Sequence, residues 1–226
     1  MRKILALLII AAFIMLIPAR AGALGVERFD LDLGYSKDSL DNRNFFIQFD
    51  LALEEPDKMG FLLGYEMFRN QTPTDLNLLF DTDVQVNCYL VDPAYLFVNS
   101  GYLRDTARGA EQVDVGAGLG IRFLYGALQT GVFGRSTMTT DEVFSISSAD
   151  VAVPLGRVVR LVEEAEYEVN VDDRDDALFT ADTSLVIALS DNIGLRTGLK
   201  YIYDNQPLPG YDDNFRWWYG GVSISF

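Results

Sequence analysis

Glu164, Glu166 and Glu168 stand at alternate positions, with Arg160 four residues before the first. A spacing of two places side chains on one face of a β-strand. Three carboxylates and a guanidinium would then share a wall. Neighbouring carboxylates can in principle exchange protons with a substrate, but acids two apart along a strand are more simply the polar lining of a wetted face. Hydrolysis asks for more, because serine or water is ordinarily activated by a histidine base. The chain contains no histidine. The expectation is therefore no enzyme, no catalytic residue, no metal and no cofactor.

Further charges fall in the same phase of their own segments: Asp50, Asp114 and Asp182 among the acids, and Arg122, Arg135, Arg196 and Lys200 among the bases. Facing an enclosed space, opposed acidic and basic walls would act on passing ions as lining charges do at a channel constriction. The competing reading is an interior closed by ion pairs. Both stay open at this point. Segment 170–177 is rich in aspartate, and Asp212 and Asp213 form a second acidic tip. Neither has calcium-loop spacing, and a solvated acidic loop is the simpler account. Gly116, Gly118 and Gly120 alternate within a strand, so they are no phosphate loop. Their expected role is to let the strand curve, with freed interior space as the alternative.

These residues need elements to hold them. After the first two dozen residues no stretch shows a sustained helical period, and none is long and apolar enough for a spanning helix. Instead, twelve alternating stretches of roughly ten residues follow one another, the pattern of a transmembrane β-barrel. The first covers 27–36, the weakest 143–153 and the last 215–226. A closed, antiparallel, up-and-down all-β barrel of about twelve strands follows, with ten as the fallback. Connections at 55–58, 91–94, 124–125, 154–156 and 190–192 are short. Those at 37–42, 70–75, 104–111, 136–142, 170–177 and 204–214 are mostly longer and more polar, and such barrels carry longer loops on one side.

Facing follows from the alternation. Phe45, Ile47, Phe49, Leu51 and Leu53 point outward, as do Val113, Val115, Leu119, Ile121 and Phe123. Tyr35, Tyr65, Tyr102, Tyr167, Tyr201, Tyr203 and Trp218 join them near the loop-rich ends, where an interfacial aromatic girdle belongs. Two places break the pattern. Glu163 falls on the outward face, and Phe144 and Ile146 are out of phase with Val151 and Val153, so a bulge or shifted register is expected at each.

Both ends of the chain agree with this architecture. Trp218, Val222, Ile224 and the terminal Phe226 share a face, which resembles the C-terminal signature read by the barrel-assembly machinery of bacterial outer membranes. At the start, Arg2 and Lys3 precede an apolar run from Ile4 to Ile17 and the small-residue pattern Ala21-Gly22-Ala23. That is the layout of a cleaved signal peptide, giving residues 1–23 as leader and 24–226 as barrel. The formal charge is −15, and removing the leader's three positive residues (Arg2, Lys3 and Arg20) leaves about −18. Such acidity disfavours nucleic acid as a partner and leaves outer-membrane lipid as the expected surroundings. Cys88 is the only cysteine, so no intrachain disulfide forms.

Two stretches resemble a known family. Asp114-Val115-Gly116-Ala117-Gly118-Leu119-Gly120-Ile121-Arg122 is similar to the glycine-rich strand of the salt-induced outer-membrane proteins, a domain of unknown function. Leu199-Lys200-Tyr201-Ile202-Tyr203-Asp204-Asn205-Gln206-Pro207-Leu208-Pro209-Gly210-Tyr211 is similar to that family's final hairpin. The resemblance covers roughly residues 95–226. It implies an outer-membrane barrel of Gram-negative bacteria linked to salt or osmotic stress, and it carries no catalytic residues. Function is thereby narrowed to two expectations: a narrow pore for ions or small solutes, or a non-conducting structural or surface-interaction barrel.

Overall fold

The computed structural model describes residues 25–38, 43–55, 58–71, 76–106, 110–206 and 213–225. The expected leader, residues 1–23, and Phe226 lie outside them. The elements are β1 (Gly25–Asp38), β2 (Arg43–Glu55), β3 (Met59–Gln71), β4 (Leu76–Val91), β5 (Ala94–Asp105) and β6 (Ala110–Phe123). They continue as β7 (Gly126–Thr137), β8 (Asp141–Pro154), β9 (Val159–Asn170), β10 (Ala177–Ala188), β11 (Ile193–Asp204) and β12 (Asn214–Ser225). Each strand pairs antiparallel with its neighbours in sequence, and β1 pairs with β12, so the sheet closes into a barrel. Twelve strands, not ten, complete it. Closure removes every free edge and satisfies the backbone internally, as a sheet in lipid requires.

The alternation read from the sequence is realised as two faces. Leu119, Ile121, Leu128 and Val132 are each more than half exposed on the outside, while Phe46, Tyr95, Phe97, Phe133 and Phe144 are buried inside. The turns on one side stay short, with Asp92 and Pro93 alone between β4 and β5, and Leu124 and Tyr125 alone between β6 and β7. On the other side the strands run further than expected. Strand β1 runs to Asp38, past the start of the loop expected at 37–42, and the loop expected at 136–142 shrinks to 138–140. The latter is tied by Thr137, whose amide donates to Thr140 O at 2.9 Å and whose Oγ1 accepts from the Thr140 amide at 2.9 Å.

The two expected bulges are absent. β8 pairs in unbroken register with both β7 and β9. Phe144 therefore points inward, where its ring stacks on Phe133 with centroids 5.3 Å apart. The apolar residues of β8 change face because the interior is apolar at one end of the strand, not because the register slips. Glu163 likewise keeps its outward position opposite Thr183, and Thr183 Oγ1 donates to Glu163 Oε2 at 2.6 Å. A local hydrogen bond offsets part of the cost of an outward carboxylate, so no distortion is needed. Among the described residues the register shifts at Val26/Arg28 and at Tyr89/Val91 instead.

Candidate functional site

Partners directly opposite on antiparallel strands share a face, so inner residues form rows around the wall. One row runs from β2 to β6 as Asp50, Gly64, Asp83, Gly101 and Asp114, and ends on Arg135 of β7. A second runs from β11 to β6 as Lys200, Asp182, Glu164, Asp150, Ala127 and Arg122. Glu166 and Glu168 sit on the inner face of β9 above Glu164, opposite Thr180 and Leu178 of β10. Arg160 is on the same face at the short-turn end, exposed and opposite Pro154.

The arginines do not form a basic wall of their own, because three of them are tied to acids. Arg135 Nη2 donates to Glu168 Oε2 at 2.8 Å and its guanidinium reaches Asp114 at 3.3 Å, lying 4.6 Å and 5.0 Å from the ring centroids of Phe144 and Phe133. Arg196 Nη1 donates to Asp32 Oδ2 at 2.7 Å, and its Nε to Ser184 Oγ at 3.2 Å. Arg122 Nη1 donates to Glu54 Oε1 at 2.7 Å, with Tyr89 stacked 4.0 Å from the guanidinium carbon. Arg122 and Glu54 belong to β6 and β2, four strands apart, so this pair crosses the interior. Lys200 on β11 and Glu66 on β3 are also four strands apart, with Nζ and Oε2 at 3.8 Å.

The glycine stripe has a different role from the expected one. A Cβ on Gly120 would meet Tyr95 Cζ at 2.1 Å, and one on Gly118 would meet Phe97 Cζ at 2.6 Å. Tyr95 and Phe97 are the cross-strand partners of those glycines. Each ring lies along the wall on the space its partner leaves empty, and Gln129 Nε2 donates to the Tyr95 hydroxyl at 2.9 Å. Phe46 covers Gly34 and Tyr219 covers Gly198 in the same way. Folded flat on the wall, these rings take up less of the interior.

What they leave is a cavity of about 360 Å³. Seven carboxylates line it (Glu66, Asp81, Asp83, Asp150, Glu164, Glu166 and Asp182), against the two cations Arg196 and Lys200. Asp182 accepts a 2.5 Å hydrogen bond from the Tyr219 hydroxyl. Glu66, Asp81, Asp83 and Asp150 were not singled out in the sequence. For β4 the signal was present, since Asp81, Asp83, Gln85 and Asn87 alternate. Glu66 stands alone between Tyr65 and Met67, with no such pattern to mark it.

The remaining candidates are peripheral. Tyr35, Tyr102, Tyr167, Tyr203 and Trp218 are exposed on the outer face, and Tyr65 and Tyr201 are half-buried there. Val222 and Ile224 share that face on β12, opposite Leu33 and Leu31. In the acidic loop Asn170 Oδ1 accepts from the amides of Asp172 and Asp173 at 3.0 and 3.3 Å, which shapes the turn. Among the described residues no three acidic or thiol groups converge to hold a metal ion.

The model of a family described as "Protein of unknown function, DUF481" matches residues 41–214. The chain belongs to this family. The match takes in β2 through β11, further toward the N-terminus than the resemblance at 95–226, and its description assigns no activity and does not mention salt. No curated protein matches. Among solved structures, the NanC porin is similar with a TM-score of 0.57 at 12% identity, over 86% of this chain and 98% of that one. The KdgM porin is similar at 0.56 and 10% identity, over 87% and 99%. Outer membrane phospholipase A from Escherichia coli is similar at 0.55 and 12% identity, over 86% and 92%. At such identities the likeness is one of fold, the closed antiparallel barrel of outer-membrane porins.

Proposed function

We propose that this chain is a narrow, cation-preferring pore for ions and small solutes in the outer membrane. The observation that carries this reading is the acid surplus of the cavity, seven carboxylates against two cations. A low-dielectric wall focuses such a field and concentrates counter-ions within it. Rings folded onto glycines leave more of the interior open, and an apolar outer face suits lipid. The leader and the C-terminal strand support export and insertion by the assembly machinery. The porins among its fold neighbours fit the same use of a barrel, and the family resemblance supports a part in salt or osmotic adjustment.

Planar-bilayer recording of refolded protein tests the reading. Stepwise currents with a reversal potential displaced toward the cation value are expected, and Asp83→Asn should bring that potential nearer to zero. Currents no greater than those of protein-free bilayers would sink it. One observation favours the second reading, a closed structural barrel: the Arg122–Glu54 and Lys200–Glu66 pairs both cross the interior. Under that reading a deletion strain would lose envelope integrity at high salt with no change in solute uptake. Hydrolysis is not proposed, although one fold neighbour is a phospholipase, because the chain has no histidine to serve as base.

A further inference from the structure

We infer that Lys200 is the residue that weakens the pull of this lumen on divalent cations, its ammonium offsetting the carboxylates around it. The inference rests on the pore reading and names the residue that sets its specificity. Its basis is the difference between the two cations of the cavity. Arg196 is committed, with Asp32 at 2.7 Å and Ser184 at 3.2 Å holding its guanidinium against the wall. Lys200 is held by no such bond: its nearest acid oxygen, Glu66 Oε2, is 3.8 Å away, beyond hydrogen-bond length.

Its setting is acidic on both sides of the lumen. Asp182 is its register partner on β10, with Glu164 next in the row. Glu66 and Asp81 are register partners of each other on β3 and β4, on the far wall. The Trp217 indole lies 5.2 Å from Nζ and covers its remaining side. The ammonium is thus a tethered cation placed where a mobile one would be drawn. A monovalent ion can exchange places with it among several carboxylates. For a divalent ion the attraction to each acid doubles, but so does the repulsion from Lys200, which sits at the centre of the same field. Remove the ammonium and the Glu66, Asp81 and Asp182 charges are left uncompensated, which strengthens the pull on a divalent ion by twice as much as on a monovalent one.

The test is calcium block of potassium current through single refolded barrels, comparing wild type with Lys200→Gln and Lys200→Arg. Folding is checked first by the unboiled gel shift, and Lys200→Met replaces Lys200→Gln should the latter not fold. The expected result is a half-blocking calcium concentration lower by roughly tenfold in the neutral variant, with Lys200→Arg like wild type. An equal calcium sensitivity in all three barrels overturns the inference and leaves the pore intact. A wild-type barrel that passes no current overturns the pore reading and this inference together.

Discussion

The phenol ring of Tyr95 occupies the space that a side chain at position 120 would need. A Cβ on Gly120 would stand 2.1 Å from Tyr95 Cζ and 2.5 Å from its hydroxyl. Gly120→Ala should therefore push the ring toward the axis and break its hydrogen bond from Gln129. Overpacking of this kind costs about 1–3 kcal/mol, read as an earlier urea midpoint in detergent, and conductance should fall as the ring narrows the lumen. The double variant Gly120→Ala/Tyr95→Ala should recover conductance. If Gly120→Ala matches wild type in both measurements, the ring is not seated as described.

The Arg122–Glu54 pair makes a separate prediction. The two side chains are 35% and 14% exposed, so the bond is partly screened and worth roughly 0.2–1 kcal/mol. Its larger effect is on space, because it spans four strands. Arg122→Ser should raise single-channel conductance while leaving the unfolding midpoint almost unmoved. A large loss of stability without any gain in conductance would show that the pair is a structural brace.

Arg135 should behave in the opposite way. Its guanidinium holds both Asp114 and Glu168 and lies against both rings of the stacked Phe133–Phe144 pair. Arg135→Gln would leave two inward carboxylates uncompensated in a crowded, aromatic part of the wall. Removing one partner of a buried pair costs about 3–5 kcal/mol, and the loss here should lie toward the lower figure because water reaches Asp114. Urea unfolding of the refolded variant measures it, and a loss below about 1 kcal/mol would contradict this account.

Glu163 offers a stabilising substitution. It is an outward carboxylate that accepts a hydrogen bond from Thr183 Oγ1. Replacing both members of a hydrogen-bonded pair by apolar groups of similar shape is close to neutral or favourable. Glu163→Leu/Thr183→Val should thus match or exceed wild type in heat resistance of the folded gel band. Glu163→Leu alone should gain less, since Thr183 loses its acceptor. A double variant that no longer folds would mean that this carboxylate serves the barrel itself.

Much of the architecture was legible because two-residue alternation survives wherever lipid lies on one side. The twelve strands and the faces of Asp50, Asp114, Glu164 and Asp182 follow from that constraint alone. Phe144 and Glu163 misled because alternation assumes a uniformly polar interior and a uniformly apolar exterior, and each of these residues has a local partner that relaxes the rule. Pairing across the lumen was not legible. Glu54 and Arg122 are brought together by the closure of the sheet, and nothing near either residue in the sequence signals the other. The aromatic seats were hidden for a similar reason, since Gly118 and Phe97 belong to adjacent strands whose register had to be known first.

The row of Asp50, Gly64, Asp83, Gly101 and Asp114 has a consequence for how a cation would travel. Rows run across strands, and the strands of such barrels lean by roughly 35–45°. Four steps of about 4.8 Å therefore climb on the order of 12 Å along the axis. The three aspartates form a winding stair, with a bare tread of glycine between one carboxylate and the next. No single depth gathers all three charges, so under the pore reading their pull on an ion would be spread along the climb.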